Sequence, residues 1–355
     1  MQDMKNKLLQ IARSKALLLI IEVLVILATF YVFGLVKKAN WKAEWEFADS
    51  DLTHEFRAAM EVQKGVNPYK RILGGDLLVN QKYATFLPLY YYTLIFVNSF
   101  SNNDYDRFLE LYRDILSYAQ ALTGLLFYVY FRSKKNRLMG IAAMLFFLFN
   151  RWTINILSDG KSDSLAMCAL VASLMLYRTK FRLSFFLFGV SLGMKHIGIF
   201  LSPIYLLPLL FKERSIKTYL IDILAFSIPT LLPALQFIIN SPLSFFYSML
   251  FNITRQHYTT SVSFGFEKLL VLYDVGVKNN SLLFYILPRV PLMVLTLVNV
   301  LLLFMKKTKI SWYALTSIFI FVAVNPVLID QYMTWITPMV FLSFLNLDKQ
   351  KLEIN

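Results

Sequence analysis

The chain has 355 residues, of which 57% are hydrophobic and only 16% charged, and its mean hydropathy is +0.54. Soluble domains run at about 45–50% apolar and about 25% charged, so composition excludes an ordinary water-soluble enzyme and indicates an integral membrane protein. The formal charge of +14 would indicate nucleic acid in a soluble chain. Here the Lys and Arg residues fall in short clusters between apolar runs, the positive-inside pattern, and no nucleic-acid partner is expected.

In chain order, Lys5, Lys7, Arg13 and Lys15 precede an apolar run from Ala16 to Val36, which at roughly 20 residues is long enough to cross a bilayer. No small-residue cleavage site closes it, so a retained helix with a cytoplasmic N-terminus is expected. Residues 37–83 read as the first extracytoplasmic loop, although Lys37, Lys38 and Lys42 at its start break the charge bias. Within it, Asp51 to about Gln63 has the pattern of an amphipathic helix, with Leu52, Phe56, Ala59, Met60 and Gln63 on one stripe suited to a membrane surface. Asp49 or Ser50 is its candidate N-cap. Residues 84–98 and 111–131 both look apolar enough to cross, yet the charge bias permits one net crossing between Asp51 and Arg132.

Further basic clusters at Arg132/Lys134/Lys135/Arg137, Arg178/Lys180/Arg182, Lys212/Arg214/Lys217, Lys306/Lys307/Lys309 and Lys349/Lys351 are placed in the cytoplasm. Residues 47–83, 151–163, Lys195–His196, 240–262 and 325–332 then reach the opposite face. The expected fold is an all-α multi-pass membrane domain over residues 1–355, with about 8 to 12 helical segments, some short or re-entrant. Cys168 lies in an apolar helix without a disulfide partner and is silent about compartment.

Four clusters carry candidate chemistry. The first is the loop with Asp49, Asp51, His54, Glu55 and Arg57, followed by Gly65 and Pro68–Tyr69. The second is Ser158-Asp159-Gly160-Lys161-Ser162-Asp163-Ser164, where Ser162 or Asp163 is either an N-cap or, with Lys161, part of a sugar or phosphate site. The third is Met194-Lys195-His196 in the apolar stretch Leu183–Phe211. A cation at the bilayer centre costs about 2.5–3.5 kcal/mol on insertion scales, so such residues line a cavity or sit at a helix break. Gly189, Gly193, Gly198, Pro203 and Pro208 allow two half-helices there, and snorkelling of Lys195 is the alternative. The fourth joins Arg255-Gln256-His257-Tyr258 to Asn325-Pro326 and Asp330-Gln331-Tyr332. Arg255 offers a planar fork to anionic oxygens, while an interfacial aromatic belt accounts for Tyr258, Tyr332 and Trp335.

Asp49-x-Asp51, Ala58 or Ala59, Gly65, Pro68-Tyr69 and the helix start Tyr83-Ala84-Thr85-Phe86-Leu87-Pro88 resemble the first extracytoplasmic loop of GT-C glycosyltransferases. The likeness continues in Gly160-Lys161-Ser162-Asp163-Ser164, Gly193-Met194-Lys195, Asn325, Gln331-Tyr332, Trp335 and Pro338, in the same order along the chain. Nearest are the first mannosyltransferases of glycosylphosphatidylinositol synthesis and the bacterial polyprenyl-phosphate-mannose-dependent enzymes.

That resemblance implies an inverting membrane transferase that moves a hexose, with mannose favoured, from a polyprenyl-phosphate donor to a lipid-linked or glycan acceptor on the non-cytoplasmic face. It makes Asp51 the general base and Asp49 its companion, with Lys195, His196 and Arg255 as donor phosphate ligands. Asp163, Lys161, Arg57, Gln331 and Tyr332 are the substrate-binding set. No cofactor is required by these motifs, and a divalent metal stays an open alternative. Membrane lipids are the remaining partner, in the plasma membrane of a prokaryote or the endoplasmic reticulum of a eukaryote. The Gln256-His257-Tyr258-Thr259-Thr260 segment departs from the family pattern, so the acceptor is left open. Two other functions fit the same residues: a transporter or flippase of lipid-linked sugars, and a non-catalytic membrane subunit.

Overall fold

The structure, a computed structural model, describes residues 2–41, 50–74, 83–102, 104–211, 215–254, 258–259, 289–325, 327–328 and 330–344. Asp49, Arg255 and His257 lie outside the described residues. The contacts divide the chain into two units, Met1–Trp41 and Lys42–Asn355.

The first unit is helix α1, Gln2–Ala39. Its apolar part, Lys15–Ala39, has 25 residues and a mean hydropathy of 2.7. At 1.5 Å per residue it reaches roughly 37 Å, against a hydrocarbon core of about 30 Å. This helix is long and apolar enough to cross a membrane.

The second unit is all-α. Helix α2 (Asp51–Gln63) leads through a 3-10 helix (Pro68–Gly74) to α3 (Pro88–Asn98) and α4 (Tyr105–Ser133). Then come α5 (Arg137–Phe149), α6 (Arg151–Ser158), α7 (Asp163–Leu176), α8 (Phe181–Met194), a 3-10 helix (His196–Leu201) and α9 (Ser202–Phe211). Helices α10 (Ile216–Thr230), α11 (Leu235–Asn240) and α12 (Pro242–Thr254) follow, and α13 (Val290–Phe304), α14 (Ile310–Val324) and α15 (Met333–Ser343) close the order. Extended structure among the described residues is limited to a parallel pair, Tyr258–Thr259 beside Val327–Leu328.

The fifteen α-helices among the described residues exceed the expected 8 to 12 segments because apolar runs break where polar or Pro residues interrupt them. Residues 137–158 bend by 44° at Asn150, whose side chain caps α6, and residues 216–240 bend by 50° beside Pro233. Counted as single spans, these bent pairs raise the number of candidate crossings to three, and seven further apolar helices are shorter. Of the two runs that competed to cross after Asp51, α3 has 11 residues and α4 has 29. Only α4 has spanning length, roughly 44 Å, but it is not among the helices apolar enough to cross a membrane. Large apolar side chains such as Leu220, Leu224, Ile228, Leu232 and Ile239 face outward. Outward apolar surface of this kind, together with the long apolar α1, points to association with a membrane.

The core is built by α7, which packs against α4 and α8, and by α8, which also packs on α10. Phe185, Phe188, Tyr205 and Phe226 stack there, with Phe188 and Tyr205 ring centroids 4.2 Å apart. Helix α2 packs on α3, and the 3-10 helix of Pro68–Gly74 packs on α12.

Candidate functional site

Helix α2 forms where the sequence starts and stops it. Ser50 is the N-cap, its Oγ accepting from the Thr53 N–H at 3.3 Å, and Asp51 in the first turn complements the helix dipole. At the far end the Val66 N–H donates to the Glu61 carbonyl at 2.9 Å and the Gly65 N–H to Val62 at 3.0 Å, the paired bonds of a Schellman stop. The helix buries Leu52, Thr53, Ala58, Ala59 and Val62. That face is rotated from the expected stripe: Gln63 is exposed, and Glu55 sits on the side turned toward the protein. Phe56 and Met60 do not face lipid either, because Phe56 packs on Phe108 at 4.4 Å and Met60 sulfur accepts from Asn98.

The second cluster folds by the same stop signal. After α6, Gly160 takes φ +61°, a left-handed conformation that a side chain disfavours. The Lys161 N–H then bonds the Ile156 carbonyl at 2.9 Å and the Gly160 N–H bonds Leu157 at 3.1 Å. Asp159-Gly160-Lys161 is therefore a C-terminal cap that aims Lys161 back at α2, where its Nζ meets Asp51 Oδ2 at 2.7 Å. Ser162 is the N-cap of α7 but makes no capping side-chain bond. Asp163, read as a cap or part of a sugar or phosphate site, is fully buried. Its Oδ2 lies 3.2 Å from Lys195 Nζ, and its Oδ1 accepts from Trp335 Nε1 at 2.6 Å.

Lys195 occupies the expected break. Helix α8 ends at Met194, Lys195 is extended (φ −155°, ψ 128°), and a 3-10 helix begins at His196. The lysine does not snorkel. It is 6% exposed, paired to Asp163, with its Nζ 5.1 Å from the centre of the Phe86 ring. Trp335 belongs to no aromatic belt, being fully buried with its N–H committed to Asp163, and Tyr332 is likewise buried. Packing overrides the interfacial preference because the buried carboxylate needs a donor.

These elements meet at an open-mouthed cavity of about 100 Å³. Asp51, His54 and Glu55 come from α2, Arg71 from the following 3-10 helix, Lys161 from the cap after α6, Lys195 and His196 from the α8 break, and Gln331 and Tyr332 from the turn before α15. Tyr83, Phe86, Tyr91 and Phe251 supply aromatic wall. Three cations and two carboxylates thus face one space, a convergence of polar groups of the kind that orients a ligand.

Asp51, Lys161, Lys195, His196, Gln331 and Tyr332 are brought together as expected. Asp163 stands behind Lys195, away from the cavity lining, and Arg57 is exposed on α2 outside it. Sequence reading missed Arg71, which also lies 3.7 Å from Glu61, and gave Glu55 no role of its own. Glu55 Oε2 accepts a hydrogen bond from the Tyr90 hydroxyl. Burial raises its carboxyl to about 7, against the opposing pull of Lys161, Lys195 and the Tyr90 bond, while Asp51 adds to the rise. For Lys161, burial pulls the ammonium down, but Asp51 together with Glu55 and Asp159 outweighs it and the net direction is up. Among the described residues no group of three or more His, Cys, Asp or Glu is placed to hold a metal ion.

No family model, curated protein or solved structure matches the chain.

Proposed function

We propose that the protein is an inverting membrane glycosyltransferase of GT-C type, which transfers a hexose, with mannose favoured, from a polyprenyl-phosphate donor to a lipid-linked or glycan acceptor. The observation that carries this reading is the convergence of carboxylates Asp51 and Glu55 with cations Arg71, Lys161 and Lys195 on one cavity. Glycosyl transfer from a lipid phosphate needs both: a carboxylate to take the acceptor proton, and cations for the charge growing on the departing phosphate. Arg71 suits the phosphate because its guanidinium offers a planar fork to anionic oxygens. Outward apolar helices give the polyprenyl tail a lipid environment next to such a site. In this reading the cavity opens on the extracytoplasmic side, as the distribution of basic clusters implies.

The test is incubation of purified protein with radiolabelled polyprenyl-phosphate-mannose and membrane lipid extract. Label appearing in a new lipid or glycan product, and lost in Lys161→Ala, supports the reading. Donor binding without any transfer across a range of lipid extracts and added divalent metals identifies a carrier and refutes it.

A further inference from the structure

Two carboxylates reach the cavity from adjacent turns of α2, and they are not equivalent. Asp51 Oδ2 is held by the Lys161 ammonium at 2.7 Å, so a proton arriving on that oxygen displaces an ion pair. Glu55 is held instead by a neutral donor: it accepts from Tyr90, whose hydroxyl is in turn 3.5 Å from that of Tyr112. Tyr90 and Tyr112 are fully buried, and Tyr112 is stacked on Phe108, so the hydroxyl behind Glu55 is fixed in place.

The charged and titratable groups around Glu55 come from every neighbouring element. Asp51 and His54 share its helix, Arg71 lies on the 3-10 helix, and Tyr90 and Tyr91 are on α3. Tyr112 comes from α4, Lys161 from the cap after α6, Lys195 and His196 from the α8 break, and Tyr332 from the turn before α15. Burial outweighs the lysines and sets the carboxyl near neutrality, where a group both accepts and returns a proton readily.

We propose that Glu55, not Asp51, takes the proton of the acceptor hydroxyl, with Tyr90 as its positioning residue and Asp51 serving to hold Lys161 against the cavity. The inference rests on the transferase reading above and deepens it. In the step, the acceptor O–H bond breaks and its proton passes to a Glu55 carboxylate oxygen. The acceptor oxygen bonds to the anomeric carbon as the bond from that carbon to the phosphate oxygen breaks, and its electron pair leaves with the phosphate. Protonation of Glu55 removes a negative charge beside the new phosphate anion, so that Arg71, Lys161 and Lys195 face it with one carboxylate fewer in competition. Glu55 returns the proton to water when product leaves.

Two measurements on the purified full-length protein test this. The first is an infrared titration of the protonated-carboxyl band from about pH 5 to 9 in wild type and Glu55→Gln. A band lost in wild type near pH 7 and missing in the variant is expected, and it needs no activity. The second is transfer from radiolabelled polyprenyl-phosphate-mannose as a function of pH. The wild-type rate should rise with pH and level off above an inflection near 7, and Glu55→Gln should lose roughly 10²- to 10⁴-fold and the inflection with it. Asp51→Asn should keep the inflection. Tyr90→Phe, which removes a bond that favours the carboxylate, should shift the inflection upward.

A Glu55→Gln protein that keeps the wild-type rate and pH profile overturns the inference. So does an inflection that Asp51→Asn abolishes, or a Glu55 band that titrates in the ordinary carboxylate range while transfer is intact. If Glu55→Gln does not fold, an unmoved inflection in Tyr90→Phe overturns it. Absence of transfer in wild type with the neutral-pH band present refutes the function itself, and the catalytic role with it.

Discussion

Removal of the Lys195 ammonium tests whether the buried pair is as strong as its geometry implies. Asp163 is fully buried, Lys195 is 6% exposed, and their charged atoms lie 3.2 Å apart. In Lys195→Met the stem volume is largely kept, but the Asp163 carboxylate retains only the Trp335 N–H as partner. Breaking one side of such a buried pair costs about 3–5 kcal/mol, roughly a 150- to 5,000-fold fall in the folded-to-unfolded ratio. Asp163→Asn with Lys195→Met removes both charges and leaves an amide oxygen for Trp335, so the double variant should regain most of that loss. Chemical denaturation in mixed micelles, followed through tryptophan fluorescence, reads all four corners of the cycle. A Lys195→Met protein within about 0.5 kcal/mol of wild type, or a double variant no more stable than the sum of its singles, refutes the argument that the pair is desolvated and coupled. Loss of activity in Lys195→Ala alone therefore cannot be assigned to phosphate binding until this cycle is measured.

Gly193 admits no side chain: a Cβ there falls 2.6 Å from Leu89 Cδ2 and 3.1 Å from the Pro229 carbonyl. Gly193→Ala should cost about 1–3 kcal/mol in the same denaturation assay and lower turnover by displacing Lys195. In a Cys168→Ser background, His54→Cys and Gln331→Cys should react with a membrane-impermeant maleimide from the extracytoplasmic side, since both positions line the cavity. Labelling of both from the cytoplasmic side alone refutes the orientation. The raised Glu55 value has a stability consequence: between its reference value of 4.5 and about 7 the folded protein binds more protons at this site than the unfolded chain. Stability from this group is therefore lost as pH rises through that window, and Glu55→Gln should remove that component of the pH slope and be the more stable protein at pH 8. Unfolding midpoints of both proteins at pH 5, 6, 7 and 8 check it, and parallel curves refute it.

What sequence reading recovered has a common cause, and so does what it missed. The bounds of α2 were legible because Ser50 and Gly65 are local signals acting on neighbouring backbone groups. The break at Lys195 was legible because a cation inside an apolar run has few places to go. The rotation of α2 was not legible. Its inward face carries Thr53, bonded to Tyr105 at 2.9 Å, and Glu55, bonded to Tyr90, and a polar residue satisfied by a distant hydroxyl looks the same in sequence as one satisfied by water. The partnership of Asp163 with Lys195 and Trp335 escaped for the same reason, since three helix ends far apart in the chain must first meet. Gly160 did carry a local signal. A glycine directly after a helical run marks a stop, yet the run of Ser and Asp around it drew attention to the helix that follows.

Helix α8 is fastened to α10 along its length. At one end Arg182 reaches the buried Asp222 at 3.1 Å, and nearer the other the surface of Gly189 lies against the Phe226 carbonyl and Pro229, with no room for even a methyl group. A helix clamped in this way behaves as a strut, and the lysine at its tip inherits that stiffness. The cavity is therefore asymmetric in mechanical terms. Its Lys195 is set by the α8–α10 brace, whereas its carboxylates ride on the short α2, which packs mainly on the 11-residue α3. Any adjustment to ligands of different size falls to the carboxylate side of the cavity, while the position of Lys195 stays constant.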